Sequence, residues 1–181
     1  MELLVAGESV EPALLAEVSA LGHPARVIGV FRRGDLPRGP LPDTGLALWR
    51  VADPGNVGTL IRSADALGPA FVALAESSAD PTGPKALRAS MGALFRVPLV
   101  GYDDAPGRRV ALVAHGGSPL KDVDLSGPTT FVLGAERGGL PEEVLETCEE
   151  QATIPLSGAA ESLNVGTAGS IALYERAHRR T

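Results

Sequence analysis

At 181 residues, 44% of them hydrophobic, the chain is long enough for one domain, or one domain with a small appendage, and too apolar for intrinsic disorder. No apolar run approaches the roughly 20 residues of a bilayer-spanning helix, no basic-then-apolar secretion signal opens the chain, and the single Cys148 excludes an internal disulfide and fits a reducing cytoplasm. The net charge of −6 does not advertise a nucleic-acid binder, but Glu142, Glu143, Glu146, Glu149 and Glu150 nearly account for it.

Residues 2–6 read as a short strand. Val10, Leu14, Leu15, Val18 and Leu21 recur at helical spacing, with Ser9 as the expected N-cap and Gly22 as the stop. Residues 26–31 read as a second strand, and the Pro- and Gly-dense stretch 32–45 as a linker or surface loop. This β-α-β piece is too small to close a core of its own. The expected division is therefore a partial N-terminal unit with its linker, 1–44, and a main domain, 45–181.

From Gly45 onward strands and helices alternate. Strands are expected at 46–51, 71–75, 97–100, 110–114 and 130–134, with a further short one ending at Ile154-Pro155. Helices are expected at 56–67, around 84–91, at 141–149 and in the C-terminal stretch after Asn164. Continuous apolar strands between helices predict an α/β fold with a mostly parallel sheet covered on both faces. In such sheets ligands bind beyond the carboxyl ends of the strands.

Three segments fall at that edge. In the first, Asp53–Ala64, the stripe Val57, Leu60, Ile61, Ala64 and Leu67 packs on the sheet, while Arg62 lies roughly 140° from its centre on a 3.6-residue wheel. Taken alone, Arg62 reads as a solvated charge, and Asn56 as a helix cap. The second, Phe131–Pro141, has three glycines in six residues, and Glu136 projects from its turn. The third, Ala152–Glu175, runs from a strand through a small polar loop, 157–161, into a helix N-terminus. That is a natural ligand cradle and equally an ordinary strand–loop–helix unit. No segment carries the glycine pattern of a dinucleotide or phosphate loop, which argues against a flavodoxin-like or nucleotide-binding protein.

Together the three blocks resemble the motifs of the SpoU branch of the SPOUT RNA methyltransferases. N-x-G-x-x-x-R-x-A is present as Asn56, Gly58, Arg62 and Ala64. L-G-x-E-x-x-G-L is present as Leu133, Gly134, Glu136, Gly139 and Leu140. The third block is present as Ile154, Pro155, Glu161, Ser162, Leu163, Asn164 and Val165, and residues 88–98 resemble the family's connecting segment. The resemblance covers about residues 45–178.

The resemblance implies a C-terminal trefoil knot that binds S-adenosylmethionine, with Gly134, Ile154 and Leu163 holding the cofactor. It also implies a homodimer with the active site completed near the subunit interface, and methyl transfer to a ribose 2′-hydroxyl of RNA, rRNA favoured over tRNA. Arg62 would stabilise the acceptor oxygen together with an RNA phosphate; a guanidinium that keeps its proton is a poor general base. Asn56 and Asn164 would position Arg62 or the nucleotide, Glu136 would pair with Arg62, and Ser162 would shape the pocket. No metal is implied, because His23, His115 and His178 are scattered without ligand spacing. The small residues 166–170 would allow close helix packing, between subunits or within the chain.

The chain departs from the family at its N-terminus. Its first 44 residues could supply only the second half of the RNA-binding domain that many members carry, as if Met1 were an internal start or the appendage reduced. Arg32, Arg33, Arg38, Arg176, Arg179 and Arg180 are the remaining candidates for phosphate contacts. A non-catalytic RNA-binding or regulatory protein on the same fold is the competing reading; the joint presence of Asn56, Arg62, Glu136, Ser162 and Asn164 argues against it.

Overall fold

The computed structural model describes residues 2–19 and 25–179. The chain separates into two compact units, Met1–Leu36 and Pro37–Thr181. The first holds β1 (Glu2–Val5), α1 (Pro12–Val18) and β2 (Val27–Val30), with β1 and β2 antiparallel in the register Glu2 to Val30 and Val5 to Val27. Leu15 of α1 is buried, whereas Leu3, Leu14, Val18, Val27 and Val30 are exposed. The helix starts later than the apolar spacing predicts. Ser9 does not cap it: its hydroxyl accepts a hydrogen bond from the Val5 amide at 2.7 Å, and Pro12 opens the helix, where a missing N–H costs nothing. Leu21 and Gly22, expected to end this helix, lie outside the described residues.

The second unit is built on β3 (Thr44–Leu48), α2 (Pro54–Leu67), β4 (Phe71–Leu74), α3 (Pro84–Ser90), β5 (Leu99–Gly101), β6 (Arg108–Leu112), β7 (Ser118–Pro119), β8 (Thr129–Leu133), α4 (Glu142–Leu145), β9 (Glu150–Thr153) and α5 (Val165–His178). The seven strands form one sheet in the order β5-β4-β3-β8-β6-β9-β7, and every pairing in it is parallel. β3 and β8 are buried along their whole length, as the continuous apolar character of central parallel strands requires.

Alternate residues of those strands feed two cores. On one side Ala47, Phe71, Ala73 and Val132 pack with Tyr102 and with Val144 of α4. On the other side α2 and α5 lie against each other and the sheet. A Cβ on Gly169 of α5 would overlap the end of the Leu60 side chain of α2 and come within 3.2 Å of Leu133 of β8, so the glycine lets the two helices approach without displacing Leu60. A Cβ on Gly166 would sit in tight contact with Thr59 at 3.3 Å, and the Ser63 and Ser170 hydroxyls meet at 2.7 Å. Of the small residues 166–170, Gly166, Gly169 and Ser170 therefore serve packing within the chain.

Three elements differ from expectation. The helix expected at 141–149 is a single turn, because Glu142/Glu146, Glu143/Glu146 and Glu146/Glu150 would repel at helical spacing. Pairing with β6 then draws the following residues into β9: the Glu149 amide donates to the Arg109 carbonyl at 3.0 Å and the Glu149 carboxylate accepts from the Arg109 amide at 2.7 Å. β3 ends at Leu48 rather than residue 51, as Arg50 turns to a φ of 54°. The strand β7 was not foreseen; it is two residues long, contains Pro119 and occupies an edge, where a proline is tolerated.

Candidate functional site

β6, β8 and β9 are neighbours in the sheet, and the chain beyond their carboxyl ends surrounds a cavity of about 470 Å³. Leu112, Val113 and Ala114 approach from β6, Leu133 to Gly139 from β8, and Ala152, Ile154 and Leu156 from β9. Ser162, Leu163, Asn164, Val165 and Ala168 close it from the start of α5. The volume falls within the range of small-molecule sites. The lining is mostly apolar side chains and strand-end backbone, a surface suited to an uncharged ring system rather than to a polyphosphate.

The loop after β8 is a clamped hairpin. The Ala135 amide donates to the Gly139 carbonyl at 3.1 Å, and the Gly139 amide donates back at 2.9 Å. A Cβ on Gly134 would overlap the backbone of Gly139, and Gly139 itself has a φ of 62°. Both glycines are therefore demanded by the turn, and the turn holds Glu136 at its tip.

Glu136 ties its hairpin to the segment 52–56, and Asn56 carries the connection on to Asn164. One carboxylate oxygen accepts from the Asp53 amide at 3.1 Å and from the Asn56 side-chain amide at 3.0 Å; the other accepts from the Ala52 amide at 3.3 Å. Asn164 then donates through Nδ2 to the Asn56 carbonyl oxygen at 3.0 Å, while its own Oδ1 accepts from the Gly166 and Thr167 amides and caps α5. The path Asn164 to Asn56 to Glu136 fixes both amide orientations, because each group has a donor facing an acceptor. Burial alone would raise the Glu136 carboxyl. The hydrogen bonds from Asn56 and from the backbone of residues 136, 53 and 52 outweigh it and hold the pKa below the ordinary value.

These contacts correct two expectations. Asn56 does not cap α2: Asp53 does, accepting from the Gly55 amide at 2.6 Å, and Pro54 fills the first helical position. That frees the Asn56 side chain for the relay. Glu136 does not pair with Arg62 either. Its oxygens are taken by the residues just named, and Arg62 is exposed on α2 with no hydrogen bond or ion pair among the described residues. Six residues beyond Asn56, Arg62 is about 9 Å further along the helix axis.

Of the residues singled out from the sequence, Gly134, Ile154 and Leu163 all line the cavity, as do Glu136, Ser162 and Asn164; Asn56 joins them through the relay, and Arg62 does not. Residues 112–114 were missed, since nothing in their sequence distinguishes them from any other strand end. Cys148 is half-buried, its thiol pushed up by burial and donating to the Val144 carbonyl, which disfavours the reactive thiolate. Among the described residues no group of His, Cys, Asp or Glu side chains could hold a metal ion, and no helix is long and apolar enough to cross a membrane.

The sequence profile of the SpoU rRNA Methylase family matches residues 43–174. The chain belongs to the SpoU rRNA methylase family. Among its relatives, the 23S rRNA (uridine(2479)-2′-O)-methyltransferase of Streptomyces viridochromogenes is 34% identical over 189 residues, covering 93% of this chain and 66% of the relative. The 23S rRNA (guanosine(2553)-2′-O)-methyltransferase RlmP of Bacillus subtilis is 38% identical over 138 residues, covering 71% of this chain and 56% of the relative. The crystal structure of an AdoMet-bound rRNA methyltransferase from Sinorhizobium meliloti superposes with a TM-score of 0.78 at 32% identity, covering 93% of this chain and 69% of that one. The chain thus spans between about half and two thirds of the length of the curated SpoU relatives it matches. The family profile ends within α5 and begins just before β3, so it takes in the whole seven-stranded sheet and all three segments of the relay.

Proposed function

We propose that this chain transfers a methyl group from S-adenosylmethionine to a ribose 2′-hydroxyl of RNA, with rRNA the favoured substrate. The observation that carries the reading is the Asn164–Asn56–Glu136 relay at the mouth of the cavity, which brings all three family motifs to one place. The residues fit the cofactor: strand-end backbone and the side chains of Ile154 and Leu163 offer an apolar slot for a neutral purine, with Gly134 leaving the hairpin backbone bare. S-adenosylmethionine, when bound, supplies a sulfonium methyl that is already electrophilic. The protein's tasks are then to orient the acceptor and favour its deprotonation.

In this reading Ser162 and Asn164 face the acceptor nucleotide, and the relay keeps the loop of Glu136 and the start of α5 in register. The Arg62 guanidinium, without a partner among the described residues, is available to a phosphate and the acceptor oxygen, stabilising developing negative charge rather than removing the proton. Because Arg62 stands apart from the cavity, we place it at a site completed by a second copy in a homodimer. The turn from β9 to α5 passing beside the loops after β6 and β8 is consistent with the family's trefoil knot. A cytoplasmic location follows from the substrate class.

The first unit, as part of an RNA-binding domain, would add affinity. Two of the arginines that the sequence offers for phosphate contacts lie in α5 and at its C-cap, in the main unit, and are engaged within it. Arg176 is buried, donating to the Leu125 and Gly127 carbonyls, and Arg179 is bound to Glu175, Val123 and Leu120. Both guanidiniums are thus engaged by acceptors of the protein itself, and Arg180 lies outside the described residues. Incubation with methyl-labelled cofactor and total unmodified RNA tests the reading. Transfer to rRNA is expected, and bound cofactor without transfer would favour the non-catalytic alternative. Arg62→Ala is expected to lower transfer at least 100-fold while leaving cofactor affinity, measured by calorimetry, within about twofold.

A further inference from the structure

The cavity is lined by two ionisable side chains among the described residues, Glu136 and Arg137. They stand side by side at the tip of the hairpin closed by Ala135 and Gly139, yet their situations are opposite. Both oxygens of Glu136 are engaged by Ala52, Asp53 and Asn56, and none of its bonds goes to Arg137. Arg137 is exposed, lines the cavity, and makes no hydrogen bond or ion pair among the described residues. The hairpin thus commits its carboxylate to holding the loops together and leaves Arg137, which has no partner among the described residues, lining the cavity. A ligand held there without an anionic group would leave this fork unused.

We infer that Arg137 binds the α-carboxylate of the amino-acid moiety of the ligand in this cavity, a role that rests on the S-adenosylmethionine reading. The chemistry on the page selects the carboxylate end. The purine and ribose need the apolar and backbone lining, the sulfonium and the ammonium are repelled by a cation, and a planar guanidinium matches a carboxylate with two parallel N–H donors. The neighbouring Glu136 stays ionised and tied, so it does not compete for Arg137. The clamped turn fixes the Arg137 backbone while the side chain retains the freedom to close over the ligand.

Two nucleosides that differ at this end distinguish the possibilities. S-adenosylhomocysteine carries the amino-acid moiety, and 5′-methylthioadenosine keeps the adenosine and sulfur without it. Calorimetric titration of the full chain is expected to show Arg137→Met weakening S-adenosylhomocysteine roughly tenfold, with 5′-methylthioadenosine unchanged within twofold. Arg137→Lys should recover only part of that loss, since a point charge lacks the fork. Equal losses for both nucleosides would mean a merely structural role and overturn the inference. So would unchanged binding of both accompanied by weaker RNA binding, which would make Arg137 a phosphate contact. Failure of the unsubstituted chain to bind either nucleoside would instead overturn the cofactor reading itself.

Discussion

The residues of the relay differ in what each removal would expose. Asn56→Ala takes one partner from the Asn164 amide and one from Glu136; because both are solvent-accessible, water replaces the lost bonds and the cost should be about 1 kcal/mol in urea denaturation. Asn164→Ala also uncaps α5, leaving the Gly166 and Thr167 amides without their acceptor, and should cost about 1–2 kcal/mol. Glu136 adds a pH dependence of known sign. Its carboxyl is held below the ordinary 4.5 in the folded state, so its contribution is fully present above the unfolded value and is lost as pH falls through the depressed folded value. Glu136→Gln should therefore flatten the plot of melting temperature against pH on its acid side, below the ordinary carboxyl value of 4.5, and a wild-type slope in the variant would show that the carboxylate is not the group responsible. The identities of Asn56, Glu136 and Asn164 as site residues were legible in the sequence through their motifs. Their partners were not, because the bonds that join them span 80 and 108 residues and no local pattern encodes such a pairing.

At the level of elements, α2 is the best-determined piece of the chain. Val57, Leu60, Ile61 and Ala64 are all buried, as their spacing predicts, and Arg62 is outside the stripe and exposed. Its capping was misread by three residues because Asp53, Asn56 and Pro54 all carry N-terminal signals, and only the fold shows which side chain is free to turn back on the helix. α3 crosses α2 at Gly58, where an added Cβ would overlap the Ala86 carbonyl oxygen and the Ala89 side chain. Backbone cannot yield as a side chain can, so Gly58→Ala should destabilise by about 1–3 kcal/mol in thermal or chemical denaturation. Gly169→Ala meets chiefly the flexible end of Leu60 and should cost less. Equal costs would mean that the α2–α3 crossing relaxes as readily as the α2–α5 one. The shortened α4 and the edge strand β7 were the least legible elements. Like charges weaken the first as a helix, and the second exists only because β9 offers it an edge to pair with.

For the whole molecule, the first 36 residues form a unit of their own and contribute no strand to the seven-stranded sheet. Removal of residues 1–36 should leave a cooperatively unfolding domain that still binds S-adenosylhomocysteine, and RNA affinity, measured by filter binding, should fall if the first unit has the proposed role. Loss of cooperative unfolding would show that the main domain depends on it. The sequence by itself determined the α/β class, the buried strands, the α2 stripe and the residues of the three motifs, since periodicity and turn chemistry act over a few residues at a time. Tertiary structure alone decided the strand order that places β8 between β3 and β6. It also decided the capture of Arg176 and Arg179 by backbone carbonyls, the freedom of Arg137 and the choice of Asn56 over Arg62 as the partner of Glu136. Each depends on which distant groups meet, and a hydrogen bond or ion pair is set by those few ångströms rather than by the residue's own preference.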